Sequence, residues 1–386
     1  MEQLKIFFDM VNEEVYETIQ DPNSFFHHIR IHSDTLPDWK NADIALIGLV
    51  EDRGNIYTSG ISLSPDQIRK KLYRLKRGTR NLRVADMGNL RNGIKLEDTY
   101  MRITEVCEIL LSHQVVPVLI GSTHDMDYGQ YLAYQKFEKN ISITNIDAIL
   151  DLESNSYHGQ NKHHTHRILV HEPNYLFNFS NIGYQTFLND AENLQILEKL
   201  YFENHRIGIV KEKIEDMEPI IRQADMLTVD ITAVRVSDAP GNPNATPFGL
   251  TGEEICRLMW YAGMSNKLSS LGIYEYNPAE DQKGQTASLI ATMIWYFVEG
   301  YYNRKTDLDF EGRHYIKYIV AMDQEPHKII FYKNIINEMW WMEVPFPTEK
   351  GTLQKVSVIA CSYSDYQTAN SGELPNRWIS THAKLM

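Results

Sequence analysis

The chain has 386 residues, 43% hydrophobic and 23% charged, the balance of an ordinary globular protein with length for one large core and extensions. A net charge of −13 argues against a nucleic-acid partner, which would need a basic face, and no stretch nears the roughly 18 apolar residues of a membrane span. Cys107, Cys256 and Cys361 are far apart and read as reduced thiols, and charge interrupts the first residues before a signal-peptide core can form, so a cytoplasmic location is expected.

Residues 1–40 form an N-terminal extension with little periodicity beyond a short helix near Asn12–Gln20. From residue 41 apolar strand-like runs alternate with helical stretches. Ala42–Val50, Val115–Ile120 and Ile141–Ile146 have the β-branched, continuous character of buried parallel strands. A helix starts at Ser64, read as its N-cap, with Pro65 at the first helical position. Arg206–Val210, Met226–Ile231 and Leu271–Tyr276 read as further strands, and Thr251–Gly263 and Thr286–Tyr301 as helices. This alternation over 41–303 predicts a three-layer α/β/α sandwich around a mainly parallel sheet. After residue 303 the texture changes. Tyr315–Val320, Lys328–Tyr332 and Val356–Cys361 are strand-like with no long helices between them, so 304–386 is a C-terminal extension with antiparallel strands.

Chemistry in open α/β sheets gathers where the parallel strands end. His124 follows one strand, Asp147 and Asp151 follow the next, and Asp230 ends a later one. A single such Asp is usually a cap or turn former. One His and three Asp after three parallel strands fit independent caps poorly, because crowded carboxylates repel unless a cation or proton intervenes. Carboxylate with imidazole suits manganese, magnesium or zinc better than a soft metal.

The order of these motifs resembles the ureohydrolase family of arginases, agmatinases and formiminoglutamases. The resemblance rests on Gly121–His124, on Asp147-Ala-Ile149-Leu-Asp151, on Tyr157-His158-Gly159, on Thr228-Val-Asp230-Ile-Thr232 running to Arg235, and on Glu275-Tyr-Asn277-Pro278. It implies an arginase-like fold over about residues 40–302 and a homo-oligomer. It also implies manganese: His124 and Asp151 on the first ion, Asp147 and Asp230 bridging both, with Asp147 sharing in catalysis. The private ligands of the second ion should be a His and an Asp, yet Ile149 and Thr232 stand there. One manganese ion at most is therefore expected, and with one ion a bound water is less acid, a loss on the order of a hundredfold in hydroxide at pH 7.

By the same resemblance His158 is the proton-shuttling histidine, and Glu275 with Asn277 binds the amidine or guanidine of the substrate. Each has a plainer reading, Glu275 as a cap or salt bridge and His158 as a turn residue. Arg235 stands where the family carries an acidic residue, and its guanidinium could fill the vacated cationic position beside Asp147 and Asp230. His163, His164 and His166 read either as a solvated loop or as a source of a replacement for the imidazole missing at Ile149.

Two functions follow. The missing ligands favour a weakly active or inactive homologue with a degenerate metal centre, serving binding or assembly through a protein partner. Trp340, Trp341 and Trp378 in the extension would be interface anchors in that case, or would otherwise pack on the α/β core. The alternative is an active metal-dependent hydrolase of linear amidine C–N bonds, acting on a small molecule.

Overall fold

Ten short segments of this chain line up side by side. A computed structural model describes residues 2–56, 60–304, 309–347 and 354–386. In chain order the strands of the main sheet are β1 (Phe8–Asp9), β2 (Arg30–Ile31), β3 (Ile44–Leu49), β4 (Val84–Leu90), β5 (Val116–Ile120), β6 (Ile141–Ile146), β7 (Leu176–Tyr184), β8 (Glu203–Arg206), β9 (Met226–Asp230) and β10 (Ser270–Tyr274). They pair in the order β1-β4-β3-β5-β10-β9-β6-β7-β8, with β2 beside β4, and every pair is parallel except β1 with β4. The sheet is thus mainly parallel with helices on both faces, as expected. Its central strands β3, β5, β10, β9 and β6 are buried along their whole length, which is why they are written as continuous apolar runs.

One face is covered by the helices Ser64–Leu72, Gly252–Met264 and Gln285–Tyr301, which bring Ile68, Leu258 and Ile294 into one core with Val118, Leu227 and Leu271. The other is covered by Leu96–Ser112, whose Ile103 and Leu110 pack with Leu119 and Ile143. Thr251 caps the helix it precedes with its hydroxyl on the Glu254 N–H, and Glu254 reaches back, a reciprocal capping box.

The structure corrects four local expectations. Ser64 is the first helical residue, not the cap, because a 3-10 turn at Ile61–Leu63 runs straight into the helix. The Asn12–Gln20 segment holds only a 3-10 turn, Glu13–Val15. The run after Arg206 is a helix, Ile207–Glu212, since Val210 is buried and Ile209 is exposed, and the strand lies just before it. Strands β4 and β7 escaped notice because polar residues interrupt their apolar runs. In β4 the interruption is Asp86, fully buried and bidentate to Arg69 of the first helix at 2.8 Å on both oxygens. In β7 it includes Asn181, which donates to the Asp147 carbonyl at 3.2 Å.

The C-terminal segment is an antiparallel four-stranded sheet, β11 (Tyr315–Ala321), β12 (Lys328–Asn334), β13 (Trp340–Pro347) and β14 (Gln354–Cys361), in that order. The helices Tyr363–Asn370 and Asn376–Leu385 follow it. Phe331, Trp340, Met342, Ile359 and Trp378 form a core of its own. Trp341, on the other face of β13, lies under the Arg222 guanidinium at 4.3 Å, and Arg222 also donates to the Trp340 carbonyl at 2.8 Å. All three tryptophans are buried within the chain and are not exposed anchors for a partner.

Candidate metal centre

Strands β5, β10, β9 and β6 are neighbours at the middle of the sheet, and beyond the carboxyl ends of three of them, β5, β10 and β6, the chain takes an unusual turn. After β5, Gly121 and Ser122 have φ of +91° and +72°, and His124 opens a 3-10 turn. Glu275, just after β10, has φ +64°, and Asp151, beyond β6, has φ +48°. Three non-glycine residues in the left-handed region at the ends of neighbouring strands store strain on the order of 1–3 kcal/mol each, and such strain collects where function requires a fixed side chain. Gly121 has a direct steric reason as well, since a β-carbon there would lie 2.3 Å from the Ser64 hydroxyl.

These turns bring His124, Asp147, Asp151, Asp230 and Glu275 into one buried group. His124 Nδ1 lies 3.3 Å from Asp147 Oδ2 and 3.5 Å from Asp230 Oδ2. A second imidazole joins them. His164, at the start of the helix His164–Leu169, lies against His124 with ring centroids 4.1 Å apart and the rings tilted by 33°, and sets Nε2 3.5 Å from Asp151 Oδ2. Its Nδ1 is 2.8 Å from Asp127 Oδ2. With Nδ1–H donating to Asp127, the Nε2 lone pair faces the cluster, the orientation a metal-binding histidine takes.

The orientation of the oxygens defines what this group can hold. One donor atom each from His124, Asp147, Asp151 and His164 lies within 4.8 Å of the others. His124 Nδ1, Asp147 Oδ2, Asp151 Oδ2 and His164 Nε2 are all buried without a hydrogen-bond partner, a state that costs stability unless a cation satisfies them. The opposite oxygens are already occupied. Asp147 Oδ1 accepts the Ile149 N–H at 2.9 Å and the Thr232 hydroxyl at 3.2 Å, and Asp230 Oδ1 accepts the Thr232 N–H at 2.7 Å. Asp151 Oδ1 accepts the Lys162 ammonium at 3.1 Å. The oxygen and nitrogen donors left facing the group suit a hard divalent ion such as manganese.

The electrostatics follow from this crowding. Burial raises the Asp147 pKa, and the Asp230 carboxylate beside it raises it further. Glu275 is raised by burial and then by Asp230. Burial opposes ionisation of Asp151 too, yet Lys162 and His164 more than offset it and hold Asp151 below the usual carboxylate range. His164 would be lowered by burial, but Asp127 carries it up to about 9. Burial disfavours the Lys162 ammonium, and Asp151, Asp230, Asp147 and Glu275 together keep it charged.

The other residues singled out in the sequence fall differently. Glu275 accepts the His124 N–H at 3.0 Å and the Asn161 side-chain amide at 3.1 Å, so its carboxylate is rigidly held at the edge of the cluster. Asn277 spends its side chain on the Ala279 N–H at 3.0 Å. His158 is half exposed and paired with Glu153 at 3.0 Å, outside the cluster. The Arg235 guanidinium pairs with Asp238 at 2.9 Å and is 40% exposed, so the cation that reaches the carboxylates is Lys162 instead. Of the three histidines, His164 enters the buried group, beside Asp151 and His124 and not at Ile149. A crevice of about 700 Å³ lined by Arg222, Trp260, Lys267 and Trp341 lies at the opposite ends of the strands, near Ser142 at the start of β6.

The model of the arginase family matches residues 42–299, two thirds of the chain. This chain belongs to the arginase family. Among curated family members, a formimidoylglutamase of Macrococcus caseolyticus is 28% identical over 272 residues, 66% of this chain and 84% of that protein. One from Clostridium tetani is 26% identical over 328 residues, 77% of this chain and 97% of that one. Among solved structures, a Trypanosoma cruzi formiminoglutamase with Mn2+ superposes with a TM-score of 0.64 at 20% identity, over 69% of this chain and 95% of that one. The Bacillus subtilis formimidoylglutamase gives 0.65 at 20% identity, over 74% and 95%. This arginase-family fold accordingly carries the C-terminal antiparallel sheet as an addition beyond the matched region. No helix among the described residues is long and apolar enough to cross a membrane.

Proposed function

We propose that this arginase-family protein is a one-metal hydrolase of a linear amidine, of the kind formimidoylglutamases act on. The observation that carries the reading is the set of buried, inward-facing donors at His124, Asp147, Asp151 and His164, which meet one another in imidazole–carboxylate contacts of 3.3 and 3.5 Å short of hydrogen-bond geometry, and converge on one point as ligands do. The similarity to formimidoylglutamases over most of their length supports an active enzyme over the inactive homologue that Ile149 and Thr232, standing in place of a His and an Asp ligand, first suggested.

His124, Asp147, Asp151, Asp230 and His164 would hold the ion. A divalent metal held there would supply acidity to a water and charge stabilisation for its addition to the amidine carbon. Asp147, fully buried and 3.3 Å from His124 at the centre of the group, is the carboxylate placed to accept the proton of that water. Glu275, fixed by the His124 N–H and Asn161, pairs with the amidinium nitrogens and orients the carbon towards the cluster. His158, held by Glu153 on the exposed segment leading to Lys162, exchanges protons with solvent and returns one to the departing amine. Water thus adds across the amidine carbon, the bond to the amine nitrogen breaks, and an amide and a free amine are released.

The test is manganese loading of the purified chain followed by assay of formamide from formiminoglutamate, with agmatine and arginine as comparators. Turnover of an amidine that falls at least about a hundredfold in Asp147→Asn and Glu275→Gln is the expected result. A folded protein that holds its ion and hydrolyses none of the three would overturn the proposal in favour of a binding role.

A further inference from the structure

One donor set for one divalent ion leaves an electrostatic problem. Asp147, Asp151, Asp230 and Glu275 are all nearly fully buried within one group, and a single divalent cation neutralises only half of their charge. Buried carboxylates in excess repel one another and must protonate or find another cation. Among the described residues, Lys162 is the one lysine or arginine paired with any of the four, its ammonium 3.1 Å from Asp151 Oδ1 and its side chain only 21% exposed. The backbone holds it there: the Lys162 carbonyl accepts the Glu153 N–H at 3.1 Å, and the preceding Gln160 and Asn161 N–H groups bond the Gly54 carbonyl. Asn161 is meanwhile tied to Glu275.

We propose that Lys162 is a tethered second cation, which supplies the charge a second metal would bring and thereby fixes the centre at one ion. The inference rests on the one-metal reading above. Two features of the site converge on it. The outer oxygens of Asp147 and Asp230, which a second ion would need, are satisfied by Ile149, Thr232 and their backbone. Replacing a divalent cation and its private carboxylate with Thr232 removes one net positive charge, and one ammonium restores it. Lys162 is a positioning and charge-balancing residue in this account, not a ligand.

The test compares Lys162→Met with the natural full-length chain, and the pair Ile149→His/Thr232→Asp with and without Lys162→Met. Each protein is loaded with manganese, desalted, and assayed by metal content, by Mn2+ affinity and by low-temperature electron paramagnetic resonance. Circular dichroism checks that each has folded. The natural chain should hold one ion with a mononuclear spectrum. Lys162→Met should bind that ion at least about tenfold more tightly, because a like charge has been removed. A residue that merely steadied Asp151 would give the opposite sign, with weaker binding on its loss. The pair with Lys162 retained should still hold one ion, and the pair with Lys162→Met should hold two and give the spectrum of a spin-coupled dimer. Weaker binding in Lys162→Met, or two ions in the pair with Lys162 intact, would overturn the inference. If the natural chain takes up no manganese, the hydrolase proposal fails alone. The Lys162 inference then stands only if Lys162→Met gains an ion.

Discussion

His164 and Asp127 carry the site's most specific local chemistry. The 2.8 Å contact between Asp127 and His164 Nδ1 fixes the ring so that its other nitrogen faces Asp151 and the adjacent ring of His124. Partners of this kind tune a metal site through the ring they orient, and their loss typically costs about 10–100-fold in metal affinity. Asp127→Asn should therefore weaken manganese binding by that factor in a chain that still folds, as titration calorimetry alongside circular dichroism would show. Equal affinity in the two proteins would mean that His164 does not face an ion. Asp125, one residue beyond His124, illustrates how little sequence distance says about such roles: it turns away to accept the Tyr100 hydroxyl at 2.5 Å.

At the scale of elements, the strands that carry the site are held by helices that approach closely. Gly252–Met264 and Gln285–Tyr301 cross at Gly263 and Gly300 with no room for a side chain. A β-carbon on Gly263 would lie 2.3 Å from the Phe297 carbonyl oxygen and 2.8 Å from the Gly300 α-carbon. Those neighbours are backbone and cannot rotate aside. Gly263→Ala should destabilise the chain by about 1–3 kcal/mol through overpacking, against the small gain alanine would give in an open helix. Chemical denaturation would read the loss, and an unchanged or raised midpoint would refute the close crossing.

Across the whole molecule, the C-terminal segment is joined to the α/β core by charge as well as by Trp341. Glu203 of β8 faces His205 at 3.4 Å and feels Arg377 and Lys384 of the last helix. Burial opposes its ionisation, but the His205 hydrogen bond first, and then the Arg377 and Lys384 charges, pull its pKa down to about 2 from the ordinary 4.5. The sign is then fixed. A carboxyl whose folded pKa is depressed adds stability that is fully present above pH 4.5 and is lost as pH falls towards 2. Its contribution is on the order of 2 kcal/mol, given a side chain about a fifth exposed. Glu203→Gln should lower stability at pH 7 by that amount and flatten the acid limb between pH 4.5 and 2. Parallel curves for the two proteins would exclude this link.

The sequence alone determined the mainly parallel sheet, its antiparallel C-terminal addition and the positions of His124, Asp147, Asp151 and Asp230, because continuous apolar runs followed by acidic turns have few other physical uses. It also marked Ile149 and Thr232 as the places where ligands are absent. Strands β4 and β7 were hidden because Asp86 and Asn181 are polar residues whose partners lie far along the chain. Arg235 looked like the compensating cation because it adjoins the Asp230 motif. Only the folded chain shows that it turns to Asp238 and that Lys162, placed by backbone bonds to Glu153 and through its neighbours to Gly54, enters the carboxylate group instead. Which side of a carboxylate faces a neighbour's N–H and which faces empty, unsatisfied space is a property of packing between strands. For that reason tertiary structure, and not the order of residues, decided which of these oxygens and nitrogens turn into the buried group and which are already bonded elsewhere.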